Sequence, residues 1–213
     1  MNRSHPDPTP RKVEPAMEPD EALFSRWKDG DQTAGRELFS RYFRALYRFF
    51  ANKCDEPDEM AQATFLALVK AKDQFAGRAS FRTYVYTIAR NELYRHLRGL
   101  QRTRQFDPEL SSIADMVSSA GAKLARGEDH RLLCAALRTL PVEQQTLLEL
   151  HYWEGMDAAA LAEVFTSNAT AIRKRLHRAR TALRDAMVAT SAAPPQALAT
   201  VEDLDVWART MGA

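Results

Sequence analysis

Glycine is scarce in this 213-residue chain, at eight residues, and cysteine scarcer, at two. Runs of β-branched residues are scarce too, whereas Ala, Leu, Arg and Glu abound, a balance that favours helix over sheet. Cys54 and Cys134 lie far apart with no Cys or His at metal-ligand spacing, so a disulfide scaffold and a zinc site are both excluded. They read as two reduced thiols of a cytoplasmic protein. No apolar run approaches the roughly 20 residues that span a bilayer. The opening "MNRSHPDPTPRKVEP" lacks the apolar core of a signal peptide. There is no Walker-type phosphate loop, and the five histidines pair with no nucleophile at a recognisable spacing. The expectation is a chain that is no enzyme and uses no cofactor or metal. Neither an internal repeat nor an extended low-complexity tract is present.

What remains is helical periodicity. Residues 1–18 hold four of the ten prolines and no periodic pattern, which reads as a disordered arm. Residues 19–101 carry four helical stretches. Leu23, Phe24 and Trp27 mark the first, and Leu38, Phe39, Tyr42, Phe43, Leu46, Phe49 and Phe50 make a wide stripe on the second. The third begins at "CDEPDEM", where Pro57 suits an early helical position and the acids suit the positive helix start. Ser80 is placed to cap the fourth, which carries Phe81, Val85, Ile88 and Leu97. Residues 102–126 are mixed and Ser/Ala-rich, and read as a flexible linker with a short helix over 112–117. Residues 127–189 form a second helical unit, with Pro141 between two of its helices. Residues 190–213 form an extension in which Val201, Leu204, Trp207 and Met211 are spaced for a short amphipathic helix. The fold class expected is all-α, two small helical domains on a flexible linker.

Charge is nearly balanced, with 30 basic and 28 acidic residues, but not evenly placed. From Arg173 to Arg184 there are six Arg or Lys and no acid. The stretch "MDAAALAEVF", the gap "TSN" and the basic stretch beyond it have the outline of a helix-turn-helix. Ile172, Leu176, Ala179 and Leu183 share one stripe. Thr170, Arg173, Lys174 and His177 lie opposite, flanked by Arg175, Arg178 and Arg180. Asp157 and Asn168 are placed to cap the two helices. A solvated amphipathic helix is the plainer reading of such a run, and one feature strains the motif. The turn usually carries glycine, and Thr166 stands in its place, with Ser167 where an apolar residue commonly packs.

Three stretches in order resemble the bacterial sigma factors of the extracytoplasmic-function (ECF) group of the sigma-70 family. They are "EMAQATFLALVKAKDQFAGRASFRTYVYTIARNELYRHLRG", "ALRTLPVEQQTLLELHYWEGMD" and "IRKRLHRARTALR". The resemblance spans about Asp20 to Met187. It implies a first domain that holds core RNA polymerase and melts the minus-10 promoter element, and a second that reads the minus-35 element as duplex. It implies no catalysis by the chain itself.

Carried onto this sequence, the polymerase-binding residues are Glu56, Asp58, Glu59 and Gln62, with Ala63 where an acid is frequent. Helix capping alone also accounts for the acids. The minus-10 candidates are Phe75, Gly77, Arg78, Ser80, Arg82, Tyr86, Arg90, Asn91, Arg95 and Arg98. A base drawn from the stack needs apolar walls and polar donors, which these supply. Phe75 and Tyr84 suit core packing equally, and Phe81 suits it better. The minus-35 candidates are Thr170, Arg173, Lys174, Arg175, His177 and Arg178, because Arg and Lys in a major groove meet both phosphates and base edges. Thr64 is a candidate phosphorylation site, since some relatives with a weakened acidic motif are switched there. The partners implied are core RNA polymerase and promoter DNA, with an anti-sigma factor or a Ser/Thr kinase as regulators and no membrane. Two other readings stand beside this one. A stand-alone helix-turn-helix regulator would give the first domain's acidic helix and aromatic loop no purpose. A decoy for an anti-sigma factor would not keep the basic recognition face.

Overall fold

The computed structural model describes residues 17–75, 77, 79–100, 106–117 and 128–190. The expected N-terminal arm and C-terminal helix lie outside these residues. Everything regular within them is helical, apart from one isolated bridge between Ser112 and Pro141.

The first bundle holds α1 (Asp20–Lys28), α2 (Gln32–Ala51), α3 (Pro57–Ala71) and α4 (Phe81–Leu100), with a 3-10 turn over Lys72–Gln74. Asp31 caps α2, accepting from the backbone N–H of Thr33 at 2.8 Å and Ala34 at 3.3 Å. Pro57 opens α3, where its missing N–H costs nothing. Ser80 caps α4 by accepting from Thr83 N–H at 3.1 Å. The core is aromatic: Phe24 meets Trp27, Phe75 and Phe81, and Trp27 meets Phe39 edge-on at 5.2 Å. Gly35 makes this packing possible. A Cβ there would come within 2.6 Å of the Trp27 indole, so α2 accepts a helix-weakening residue to let α1 approach.

The second bundle holds α5 (Glu128–Thr139), α6 (Val142–Tyr152), α7 (Ala158–Val164) and α8 (Ala169–Thr190). α8 packs on α5, α6 and α7 with Ile172, Leu176, Ala179, Leu183 and Met187 turned inward and buried.

The expected helix over 112–117 is absent. This stretch forms turns that serve the second bundle: Ile113 and Val117 are buried, Val142 N–H donates to Ser111 O, and Ala114 N–H donates to Arg138 O. Phe106 is buried as well and meets Tyr94 of α4. So residues 106–117 are packed structure. The weak periodicity follows, because their backbone groups bond to neighbouring elements rather than along a helix.

The two bundles pack together through α4 and α7. At one side of this contact Lys53, just after α2, donates to Glu149 of α6 and to Phe49 O, with both charged side chains buried. Gln145 Nε2 donates to Glu149 at 2.8 Å, which satisfies the second carboxylate oxygen.

Candidate nucleic-acid interface

α8 begins at Asn168, whose Oδ1 accepts from Ala171 N–H at 2.8 Å, and α7 begins at Asp157, which accepts from Ala159 and Ala160. Both expected caps are present. Between the helices Thr166 takes φ +50, the one non-glycine residue with positive φ among those described. Thr166 thus adopts the left-handed conformation that glycine takes most easily, and its β-branched side chain bears the strain.

The outer face of α8 carries Thr170, Arg173, Lys174, His177 and Arg178, all exposed. Arg175 departs from this set. It is half-buried and pairs with Glu143 of α6 at 3.0 Å, so it braces α8 against its own bundle. Burial raises the Glu143 carboxyl, and Arg175 opposes that shift. Arg180 likewise turns inward, donating to the Tyr152 hydroxyl at 2.7 Å.

On the first bundle, Glu56, Asp58, Glu59 and Gln62 are all exposed at the start of α3. Leu66, at 62% exposure, and Val69 continue the line one and two turns on, and the exposed Phe43 of α2 stacks at 6.4 Å on Phe65, the neighbour of Leu66. Thr64 lies on the inner side of α3. It is fully buried, and its hydroxyl donates to Met60 O at 2.9 Å, so a kinase could reach it only after α3 had left its seat.

The minus-10 candidates divide. Gly77 is exposed with φ +68, a conformation open to glycine, while Arg78 lies outside the described residues. Ser80, Arg82, Asn91, Arg95 and Arg98 are exposed. Phe75 is half-buried, with its ring 4.9 Å from Phe24 and 4.7 Å from Tyr84. It packs and still lines a surface cavity of about 310 Å3 together with Gln74, Ala79, Thr83 and Thr87. Tyr86 is a correction: it is wholly buried, its ring 5.7 Å from Phe49, and presents nothing to solvent. Burial pushes its phenol well above the ordinary tyrosine value, with Glu154 adding to the shift.

Sequence reasoning missed the groups that face α4 from the other bundle. Glu154 takes Arg82 at 2.9 Å. The carbonyl of Val164, at the end of α7, accepts from Arg90 Nη1 at 2.5 Å, and the Phe165 ring lies 5.3 Å from the same guanidinium. Glu163 joins the lining of the Phe75 cavity. Residues some 70 to 100 positions apart carry no local signal of such meetings.

The chain matches the family models for Sigma-70 region 2 over residues 37–103 and Sigma-70 region 4 over residues 130–183. It is 31% identical to the RNA polymerase sigma factor NccH of Alcaligenes xylosoxydans over 175 residues, which cover 77% of this chain and 92% of that one. It is 26% identical to the ECF RNA polymerase sigma-E factor of Haemophilus influenzae, over 76% of this chain and 91% of the relative. The fold is like that of CnrH, solved in complex with the cytosolic domain of CnrY, with a TM-score of 0.60 and 23% identity over 81% of this chain and 99% of that one. Two region models in the right order, on two helical bundles of which the second ends in a basic helix, leave one assignment. The chain belongs to the extracytoplasmic-function sigma factors of the sigma-70 family, and it directs promoter-specific transcription with RNA polymerase.

Proposed function

We propose the following division of labour. The start of α3, with Glu56, Asp58, Glu59 and Gln62, docks on a basic surface of core polymerase, and the apolar Leu66 and Val69 extend that contact. The loop at Phe75–Ser80 and the outward side of α4, with Arg82, Arg90, Asn91, Arg95 and Arg98, take the separated strand of the minus-10 element. The face of α8 formed by Thr170, Arg173, Lys174, His177 and Arg178 enters the major groove of the minus-35 element. The domain limits that go with this are about 19–101 and 127–189, with residues 106–117 counted structurally with the second.

The observation that carries this reading is the sorting of α8. Its inner stripe is buried, its outer face is basic and exposed, and from Arg173 to Arg184 it contains no acid to repel phosphate. The chain supplies binding energy and no reacting group of its own, and it works in the cytoplasm, where its two partners are. Among the described residues no helix is long and apolar enough to cross a membrane.

An anti-sigma factor fits the exposed Phe43, Leu66 and Val69 as a regulator that competes with polymerase. A kinase acting on Thr64 has no such support, because the hydroxyl is enclosed and already bonded.

The test is reconstitution with core polymerase lacking any specificity subunit, on fragments of the source genome, followed by permanganate probing of unpaired thymines. Reactive thymines that need both polymerase and the chain support the reading. Duplex binding that needs no polymerase and opens nothing would make the chain a stand-alone helix-turn-helix regulator.

A further inference from the structure

Trp153, just past the end of α6, is half-buried, and beside it a narrow apolar crevice runs between α5, α6 and α8. Leu133, Leu137, Tyr152, Trp153 and Leu183 line it, and Glu149, the acid among its walls, is already paired with Lys53. Its room of about 10 Å3 barely admits one water, so no metabolite enters it. What it offers is a seat for apolar side chains laid across its mouth. A cation stands at the rim. Arg180 lies 5.7 Å from the Tyr152 ring, donates to the Tyr152 hydroxyl at 2.7 Å and meets His151 Nε2 at 3.1 Å.

The stretch that follows α8 has the matching chemistry. Val201, Leu204, Trp207 and Met211 are spaced for one face of a helix, and Glu202, Asp203 and Asp205 fall beside them, with Arg209 the one base after Arg184. Pro194 and Pro195 stand between this stretch and α8 and favour a turn there. The crevice is close by. Leu183 lies one residue short of two turns before the end of α8 at Thr190, about 10 Å along its axis. The residues from 191 to 200 can span up to about 35 Å, so a return to Leu183 is well within reach. A second apolar strip, formed by Phe43, Leu66 and Val69, suits the segment less. It continues from Glu56, Asp58 and Glu59, which would repel the same acids that Arg180 attracts.

We infer that residues 201–211 dock across this crevice as a further helix of the second bundle, with Leu204 and Trp207 over Trp153 and Leu183 and the acids toward Arg180. The segment then holds α8 near its end, as Glu143 holds it through Arg175 nearer its start. The outer residues from Thr170 to Arg178 lie before the seat along α8. The inference does not depend on which DNA they meet.

The experiment uses the full chain with Ala208→Cys, beside the apolar stripe, carrying a benzophenone maleimide. Cys54 and Cys134 are buried, and burial raises their thiols to about 11 and about 12, so they react slowly at neutral pH. Under light the cross-link should form within one chain, on a peptide that holds Trp153 or Leu183. Leu204→Asp combined with Trp207→Asp should abolish that cross-link. In the unlabelled chain the same two changes should lower the melting temperature by about 4–8 °C. Trp153→Ala should then cost less in this variant than in the parent, because its cover is already gone. A cross-link on a peptide holding Phe43 or Leu66 would put the segment on the first bundle, and one between two chains would make it a contact between copies. Either overturns the inference. So does the absence of any cross-link, or a melting temperature that the double change leaves where it was.

Discussion

Lys53, one residue beyond the cap of α2, gives its ammonium to Glu149 in the middle of α6, and neither side chain reaches solvent. The Phe49 ring lies 4.1 Å from the same nitrogen, so the lysine is enclosed by a carboxylate, a carbonyl and an aromatic face. This pair joins α2 to α6 and adds a buried ionic tie to the contact the two bundles make through α4 and α7.

Removing one member strands the other. Lys53→Met leaves Glu149 without its counterion, a cost of about 3–5 kcal/mol if the bundles stay together. The chain can relieve part of this by separating them. We expect Lys53→Met to unfold at clearly lower urea than the parent, and Lys53→Met with Glu149→Leu to recover most of the difference. Tryptophan fluorescence during urea titration measures both. A double variant no more stable than the weaker single would mean that the two residues are not coupled.

The helix-turn-helix turn holds a second cost. Thr166 sits at φ +50, where a β-branched side chain crowds its own backbone. It is exposed, so little packing is lost by trimming it. Thr166→Gly should therefore raise stability by about 1 kcal/mol, reversing the usual sense of a change to glycine. Thr166→Ala removes the branch and keeps the Cβ, and should gain less. Denaturation midpoints of the three proteins, compared at equal slope, decide it. A loss of stability in Thr166→Gly would show that the threonine side chain holds the turn.

The sequence was most legible where the cause is local. Caps at Ser80, Asp157 and Asn168, the opening proline of α3 and the uneasy turn at Thr166 each depend on atoms within a few residues, and each is found as expected. The buried stripe of α8 followed from its period alone. Tyr86 was misplaced because the inward side of α4 is wider than the stripe read from Phe81, Val85, Ile88 and Leu97: its ring packs on Phe49 of α2 in the same bundle, with Glu154 of the second bundle near its phenol. Lys53 gave no warning at all. Between Asn52 and Cys54 it looks like any solvated lysine, and its partner stands 96 residues away. The stretch 106–117 was misread as loose because its order comes from bonds to α5 and α6, which no local pattern records.

Acid should loosen the first bundle through the cap of α2. The Arg26 side chain bonded to Asp31 lowers the carboxyl below its ordinary value of 3.8, and the N–H groups of Thr33 and Ala34 add to this. A carboxylate whose folded pKa is depressed stabilises the fold above its unfolded pKa. That contribution is lost as pH falls through the folded value. Asp31→Asn keeps an acceptor for the cap but cannot titrate. It should start from a lower melting temperature at neutral pH, because the Arg26 pair is gone, and should lose less on acidification below about pH 4. Melting temperatures of both proteins across that range test this. Parallel curves would mean that Asp31 carries none of the acid sensitivity.

The face of α8 proposed to enter the major groove makes the most direct claim about DNA. Arg173 and Lys174 are exposed on α8 beyond its buried stripe, whereas Arg175 is held by Glu143. A cation that meets phosphate releases a condensed counterion. The logarithm of the binding constant therefore falls with the logarithm of salt by about 0.9 for each phosphate contact. Arg173→Ala and Lys174→Ala should each weaken duplex binding and reduce that slope by about one unit where the contact is to phosphate. Where it is to a base edge, the slope stays and discrimination among sequences falls, by about 1–3 kcal/mol for a bidentate pair. Arg175→Ala should act otherwise. It uncovers Glu143, which puts an acid beside the recognition helix, and it removes a brace. Its effect should appear in the melting temperature as well as in affinity, and Glu143→Gln should restore part of the affinity. Salt titrations of duplex binding for these variants, with thermal melts alongside, separate the three roles. If Arg175→Ala behaves as Arg173→Ala does in both measurements, the division drawn here between a bracing arginine and DNA-facing ones is wrong.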